Sequence, residues 1–298
     1  MGNIIVVGSA NLDMVCSVDN RPKSGETVLG NDFFTSPGGK GANQAVAAAK
    51  LGGNVDIVAC LGYDSFGDQM LENFNNNNVN TSLITKKEGV SSGVASIVLS
   101  DNDNSIIVVQ GANELLDVGV VKQFEKELLM AEIVLLQLEI PLKTVEYVVD
   151  FCYENKIKVL LNPAPAVKLS TEIVEKVSYL TPNEHEYKIV FNTKESVESI
   201  LEKHPNKLII TEGSNGVRFH DGEQVRHVPS IKVDVKDTTG AGDTFNGALS
   251  VGITEGKSLY DSVKYAVVAS GLSVTKLGAQ PGMPSKEEVY KYLQSNQK

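Results

Sequence analysis

Residues 38–62 read GGKGANQAVAAAKLGGNVDIVACLG. Two glycines open the stretch, and an alanine-rich run over 40–51 then carries the composition of a helix that packs closely against a neighbour. Gly52 and Gly53 end that helix, as glycines at helix C-termini do. DIVAC follows, a β-branched run apolar on both faces, which is the pattern of a strand covered by helices on both sides. A helix feeding such a strand is the repeating unit of an α/β sheet, and the same alternation recurs along the chain. NIIVVG, EIVLLQL, KVLLNP and KLIITEG read as strands, and helical patterns lie near 66–76, 144–155 and 195–204. The alternation implies a central, mostly parallel sheet flanked by helices and joined by right-handed crossovers. A single α/β domain over residues 1–298 is expected.

Two stretches depart from the alternation. Residues 14–37 contain MVCSVD and TVLGNDFFT with turn residues between them. Residues 92–110, SGVASIVLSDNDNSIIVVQ, read as a hairpin turning at 101–104. Strands without helices between them imply a small β element projecting from the sheet, and a lid is the expected role. NFNNNNVN around Asn75 reads as a loop that ends a helix, because asparagine tolerates left-handed turns.

Composition bounds the function classes. The chain has 298 residues, 42% hydrophobic and 21% charged, with a formal net charge of −10, which argues against nucleic acid or an anionic membrane as partner. Cys16, Cys60 and Cys152 are far apart and form no CxxC pair, a usage suited to a reducing compartment. No HExxH or other closely spaced histidine pair is present. The N-terminal MGNIIVVGSA has no basic leader, and no apolar run approaches the ~18 residues of a membrane span. A cytoplasmic protein is expected.

KDTTGAGDTFNGAL, at 236–249, places an anion-binding turn directly before a carboxylate. Thr238 or Thr239 can cap the following helix, whose apolar face is Phe245, Ala248, Leu249 and Gly252. Amides of Gly240, Ala241 and Gly242 would stand at the positive end of the helix dipole, forming an anion hole. The plainer reading of Asp243 is stabilisation of the first helical turn. Neither GxxxxGK[ST] nor a GxGxxG after the first strand occurs, so the usual P-loop and dinucleotide readings fail.

Other polar residues gather at strand ends. Asn11 and Asp13 follow the first strand at alternate positions and point the same way if extended. They lie beyond a strand's carboxyl end, where open α/β sheets bind ligands, though a simple Asn/Asp turn would look the same. Lys40 and Asn43, three apart, share one face of their helix, presented either to a polar ligand or to solvent. Glu139 stands just past an apolar strand. Asn183 and Glu186 are three apart on a helix that Pro182 can begin, and can hold a hydrated metal or serve as caps.

GGKGANQAVAAAKLGGNVDIVACLG and DTTGAGDTFNGALS together resemble the two signatures of the ribokinase family of carbohydrate kinases, also called the PfkB family. GSANLD, QLEIP, LNPAPA, TPNE and TEGSNGV extend the resemblance over nearly the whole chain. It implies an α/β sheet with a β lid that mediates homodimerisation, and transfer of the γ-phosphoryl group of ATP to the 5-hydroxyl of D-ribose. Other small sugars or nucleosides (deoxyribose, fructose, adenosine) remain alternatives, as does a non-catalytic sugar-binding regulator on the same fold. By resemblance Asn11, Asp13, Gly39, Lys40, Asn43 and Glu139 bind the sugar. Asn183, Thr211 and Gly213 contact the nucleotide, and Glu186 is the acidic member of an Mg2+-associated NxxE motif. Asp243 is the base and Gly240, Ala241 and Gly242 the anion hole. A K+ loop would use Asp237, Thr239, Ser273, Lys276 and Gly278, largely through backbone oxygens. Two positions depart from the pattern. Gly282 stands where a serine is frequent, and Val267 where a polar residue often meets the nucleotide.

The resemblance also answers why a carboxylate adjoins an anion hole. Phosphoryl transfer is mainly positioning and charge stabilisation. The nucleophilic hydroxyl must lie between the group that takes its proton and the group that holds the phosphoryl charge.

Overall fold

The computed structural model describes residues 2–100 and 103–295. Strand Asn3–Val7 is central to the main sheet, paired in parallel with Asn54–Gly62 on one side and Ala131–Leu136 on the other. Lys158–Leu161 and Tyr179–Leu180 continue the second side, while Val79–Asn80 and Ile84–Lys87 both pair with Asn54–Gly62, again in parallel. The apolar runs are explained by what covers them. Ile4 and Val6 enter one core, Ile5 and Val7 the other, and all four are fully buried. KLIITEG forms Ile209–Thr211, which touches the main sheet through parallel bridges Leu180 to Leu208 and Asn183 to Thr211. It then heads an antiparallel meander with Val217–His220 and Val225–Val228.

The irregular stretches form a separate four-stranded sheet. Asn11–Ser17 pairs antiparallel with Asp32–Gly38 and parallel with Gly93–Ser100, which pairs antiparallel with Asp103–Val109. The hairpin is present; residues 101 and 102 of its expected turn lie outside the described residues. Helix Ser65–Asn76 ends where the asparagine run begins, and Asn78 takes φ 58°, the left-handed conformation expected there.

Helices Lys40–Lys50 and Ala241–Thr254 pack against each other in the core that Ile4 and Val6 enter. Their small residues set the spacing. A Cβ on Gly247 would lie 2.7 Å from Ala47 Cβ, 2.8 Å from the Gln44 carbonyl oxygen and 2.9 Å from the Ala48 nitrogen. Two of these neighbours are backbone and cannot swing away, so Gly247 lets the two helix backbones approach within side-chain reach. Gly252 does the same against Ser262 in helix Leu259–Ser273, where a Cβ would meet Ser262 Cβ at 2.9 Å.

Gly247→Ala is therefore expected to cost about 1–3 kcal/mol, the usual penalty for overpacking. Denaturant unfolding at constant m-value is the measurement, and an unchanged midpoint would refute the close-packing account.

Candidate active site

Helix Ala241–Thr254 starts after Gly240, which takes the left-handed conformation with φ 74°. The expected threonine cap is not formed. Thr239 instead donates through its amide (2.9 Å) and hydroxyl (2.6 Å) to Asp237 Oδ1, so the turn is braced from before the helix rather than capped at it. The Ala241 amide is taken by the Thr238 carbonyl and the Thr244 amide by that of Gly240. Helix geometry leaves the Gly242 and Asp243 amides without intrahelical acceptors. A Cβ on Gly242 would meet nothing within 4 Å, so these amides open at the positive helix end onto free space.

Asp243 points the other way, into the core. Its Oδ2 accepts from Asn43 Nδ2 at 3.0 Å and its Oδ1 from Gln44 Nε2 at 3.1 Å, both donors coming from helix Lys40–Lys50. Burial pushes the Asp243 carboxyl above the ordinary carboxylate range, opposed by the Lys40 charge and the two amide donors. Asn43 is itself held, because its Oδ1 accepts from Gln280 Nε2 at 3.0 Å.

The residues expected to meet the sugar gather near this carboxylate. Glu139 Oε2 accepts from the Ser9 hydroxyl at 2.6 Å and the Lys40 amide at 2.9 Å, joining the end of one strand to the start of the helix. Burial would lower the Lys40 ammonium pKa, but Asp243, Glu139 and Glu186 together hold it above its ordinary value. Asp13 is pushed up to about 7, first by burial and then by the Glu139 charge. Asn11 and Asp13 lie in the strand Asn11–Ser17 rather than in a turn, and Asn11 Oδ1 accepts from Asn113 Nδ2 at 2.7 Å. A Cβ on Gly38 would fall 2.3 Å from the Asp13 carboxylate, and one on Gly39 2.8 Å from the Asn11 nitrogen. The glycine pair is thus the condition for these groups to share one space.

On the far side of the 240–242 turn lies a cleft of about 690 Å³. Thr211, Gly213, Ala241 and Gly242 contribute to it, and Val217, Ile231, Val233, Phe245, Val267 and Val274 give it apolar walls. Val267, the departure noted in the sequence, lines this cleft. Asn183 is placed differently from the expectation. Helix Glu186–Val190 starts four residues after Pro182, and Asn183 precedes it, with Oδ1 accepting from the amides of His185 (2.9 Å) and Glu186 (2.8 Å). Glu186 Oε2 returns the bond to the Asn183 amide at 2.8 Å, so the pair forms a reciprocal cap. Proline lies too far before the helix to begin it. Burial raises the Glu186 carboxyl pKa, opposed by the Asn183 amide and Lys40.

Asp237, Thr239 and Gly278 are brought together: Asp237 Oδ2 accepts from the Gly278 amide at 2.8 Å while Oδ1 holds Thr239. A Cβ on Gly282 would sit 2.7 Å from the Ser273 carbonyl oxygen and 3.6 Å from that of Lys276, so both carbonyls face the point where a serine would stand. The Lys276 side chain turns away to Glu288, 2.9 Å distant, leaving only its backbone toward the loop. Among the described residues no three His, Cys, Asp or Glu side chains converge as a metal-binding group.

The sequence reading passed over several polar residues that hold this site: Ser9, Gln44, Asn113, Gln137, Asn162 and Gln280. Each is a buried polar residue within an otherwise apolar stretch, and that contrast is the signal that marks them.

A profile of pfkB family carbohydrate kinases matches residues 1–286. The chain is 47% identical to a ribokinase of Lactococcus lactis, covering 97% of this chain and 96% of the relative. Identity to a ribokinase of Bacillus subtilis is 45%, with 98% and 100% covered. The solved structure of Arabidopsis thaliana ribokinase complexed with ribose and ATP superposes with a TM-score of 0.90 at 32% identity, covering 99% of each chain. With nearly its whole length matched, and a buried aspartate beside an open helix end, this chain belongs to the pfkB family of carbohydrate kinases.

Proposed function

We propose that this chain transfers the γ-phosphoryl group of ATP to the 5-hydroxyl of D-ribose, giving ribose 5-phosphate and ADP. The observation that carries the reading is the position of Asp243. Its buried carboxylate lies between a cluster of sugar-compatible polar groups and an open amide turn that borders a cleft of about 690 Å³. The relatives are named ribokinases, and the Arabidopsis protein is described with ribose and ATP.

In this mechanism Asn11, Asp13, Gly39, Lys40, Asn43 and Glu139 orient the sugar. Asp243 takes the hydroxyl proton as the oxygen bonds to the γ-phosphorus and the bond to ADP breaks. The open amides of Gly242 and Asp243, at the end of the 240–242 turn, hold the charge that develops on the phosphoryl oxygens, the Ala241 amide being taken by the Thr238 carbonyl. Thr211 and Gly213 border the nucleotide, and Asn183 acts by bracing Thr211 through their parallel bridge. Glu186 is the carboxylate that would hold, through water, an Mg2+ bound with ATP, which would neutralise phosphate charge there. K+ would be held at the loop of Asp237, Thr239, Ser273, Lys276 and Gly278, mainly by carbonyl oxygens, since Gly282 offers no hydroxyl. The small sheet, about 14–37 and 92–110, closes over the sugar and excludes water. The protein works in the cytoplasm, where its three thiols, all unpaired, are stable.

A homodimer through the small sheet fits its surface. The pairing register puts Phe33, Ile107 and Val109 on the face opposite Asp13, and they are 58%, 69% and 53% exposed. An apolar sheet face of this kind is unusual on a monomer.

ADP release should require both ribose and active Asp243. Asp243→Asn is expected to fold, bind both substrates and lose about 10²–10⁴-fold in kcat. A coupled ADP assay with a panel of pentoses, hexoses and nucleosides measures this, and near-normal turnover by the variant would remove Asp243 from the chemistry. Sugar binding should follow the Asp13 proton. Below pH about 7 the carboxylate takes up a proton and loses an acceptor, so KM for ribose should rise as pH falls and level off above pH 8. In Asp13→Asn that dependence should vanish, with KM high throughout; a wild-type KM flat from pH 5.5 to 8.5 would exclude the linkage. Ile107→Asp should convert a dimer to a monomer in sedimentation velocity, and a wild-type monomer would overturn the proposed assembly.

A further inference from the structure

The Asp243 carboxylate terminates a row of buried amides whose orientation it dictates. A carboxylate only accepts hydrogen bonds, so Gln44 must turn Nε2 toward Asp243 and Oε1 away. Nε2 lies 3.1 Å from Asp243 Oδ1 and 3.1 Å from Asn162 Oδ1, while Oε1 accepts from Gln137 Nε2 at 2.7 Å. Asn162 is fixed in turn, its Nδ2 donating to the Thr181 carbonyl at 3.1 Å. Gln137 is obliged to present its nitrogen to Gln44. Its own Oε1 then has no hydrogen-bond partner among the described residues, at a fully buried position. Burying an unpaired amide oxygen is unfavourable, and apolar side chains of the same length at 44 and 137 would avoid it. Stability alone does not account for two glutamines here.

We propose that Gln44 is a positioning residue for phosphoryl transfer: backed by Gln137 and Asn162, it fixes the plane of the Asp243 carboxylate toward the incoming hydroxyl. The proposal rests on Asp243 being the base. Asn43 grips the other oxygen but belongs to the expected sugar contacts, whereas Gln44 is fully buried and acts only through Asp243. The charged groups facing Asp243 from the packed elements are Lys40 on the same helix as Gln44, Glu139 beyond strand Ala131–Leu136, and Glu186 on helix Glu186–Val190. None of them contacts Gln44 by a hydrogen bond or ion pair.

Gln44→Met keeps length and volume while removing the donor. The expected result is a fall in kcat of about tenfold with KM for ribose and ATP within twofold, because a misaligned base slows only the chemical step. The acid limb of the kcat–pH profile should move up by about one unit, since a lost donor to the charged form raises a carboxylate pKa. Unchanged kcat with an unmoved acid limb would overturn the proposal, as would a rise in KM at constant kcat. Gln137→Met, which leaves the Gln44–Asp243 bond in place and removes its anchor, is the second variant. It should lower kcat about threefold with KM unchanged, and a wild-type kcat there would count against the proposal even if Gln44→Met failed to fold. Asp243→Asn assayed in parallel separates the two levels. Near-normal turnover in Asp243→Asn refutes the base assignment, whereas an inactive Asp243→Asn beside a normal Gln44→Met refutes only the positioning role.

Discussion

The site depends on how closely two helices approach. Asp243 is a buried carboxylate, and a buried charge is tolerable only with partners at hydrogen-bond distance. Its donors stand on helix Lys40–Lys50, and they reach it because Gly247, one turn beyond Asp243, meets Ala47 and Ala48 with no Cβ of its own. The alanines that give residues 42–49 their composition are therefore spacers for a polar contact as much as core residues. A wider helix separation would leave Asp243 with its desolvation and without its donors.

Charge is arranged around the same point. Glu139, Glu186 and Asp243 surround the ammonium of Lys40, and Asp13 stands against Glu139. Such a group is poorly suited to a sugar that already bears phosphate, and well suited to neutral hydroxyls that need acceptors. In the proposed mechanism the phosphates of ATP would meet the other side of the turn, where the Gly242 and Asp243 amides open and the cleft's described lining holds no carboxylate side chain. The chain's overall charge of −10 is thus compatible with an anionic co-substrate, because the potential that matters is local.

The main sheet was legible because its strands are covered on both faces, so each strand shows as an uninterrupted apolar run. The strand Asn3–Val7 and the helix Lys40–Lys50 follow directly from that. Other features needed spatial neighbours. Thr239 was legible as a cap by local chemistry, yet Asp237 two residues earlier takes it, and that competition depends on Gly278 fixing the other Asp237 oxygen. Asn183 and Glu186 were legible as a pair, but the backbone bridge from Asn183 to Thr211 keeps Pro182 outside the helix. Gln44 was hidden because a glutamine in an alanine-rich helix also fits a solvent-facing position. Only Gln137, just past strand Ala131–Leu136, and the later Asp243 reveal that it points inward.

The separation along the chain between the two helices has a further consequence. Asn43 and Asp243 are 200 residues apart, so the pair closes only when the last third of the chain is available. At ribosomal rates of about 5–20 residues per second, helix Lys40–Lys50 emerges roughly 10–40 s before its partner. During that interval the face that meets helix Ala241–Thr254 lacks its native cover and Asn43 lacks its carboxylate, while Gln44 can already meet Gln137 and Asn162. The strands Asn3–Val7, Asn54–Gly62 and Ala131–Leu136 can pair earlier, which would leave a half-covered sheet waiting. Biogenesis of this enzyme is then governed by the arrival of the helix that carries Asp243, and a chain interrupted before that helix would retain most of its sheet while keeping one core open to aggregation.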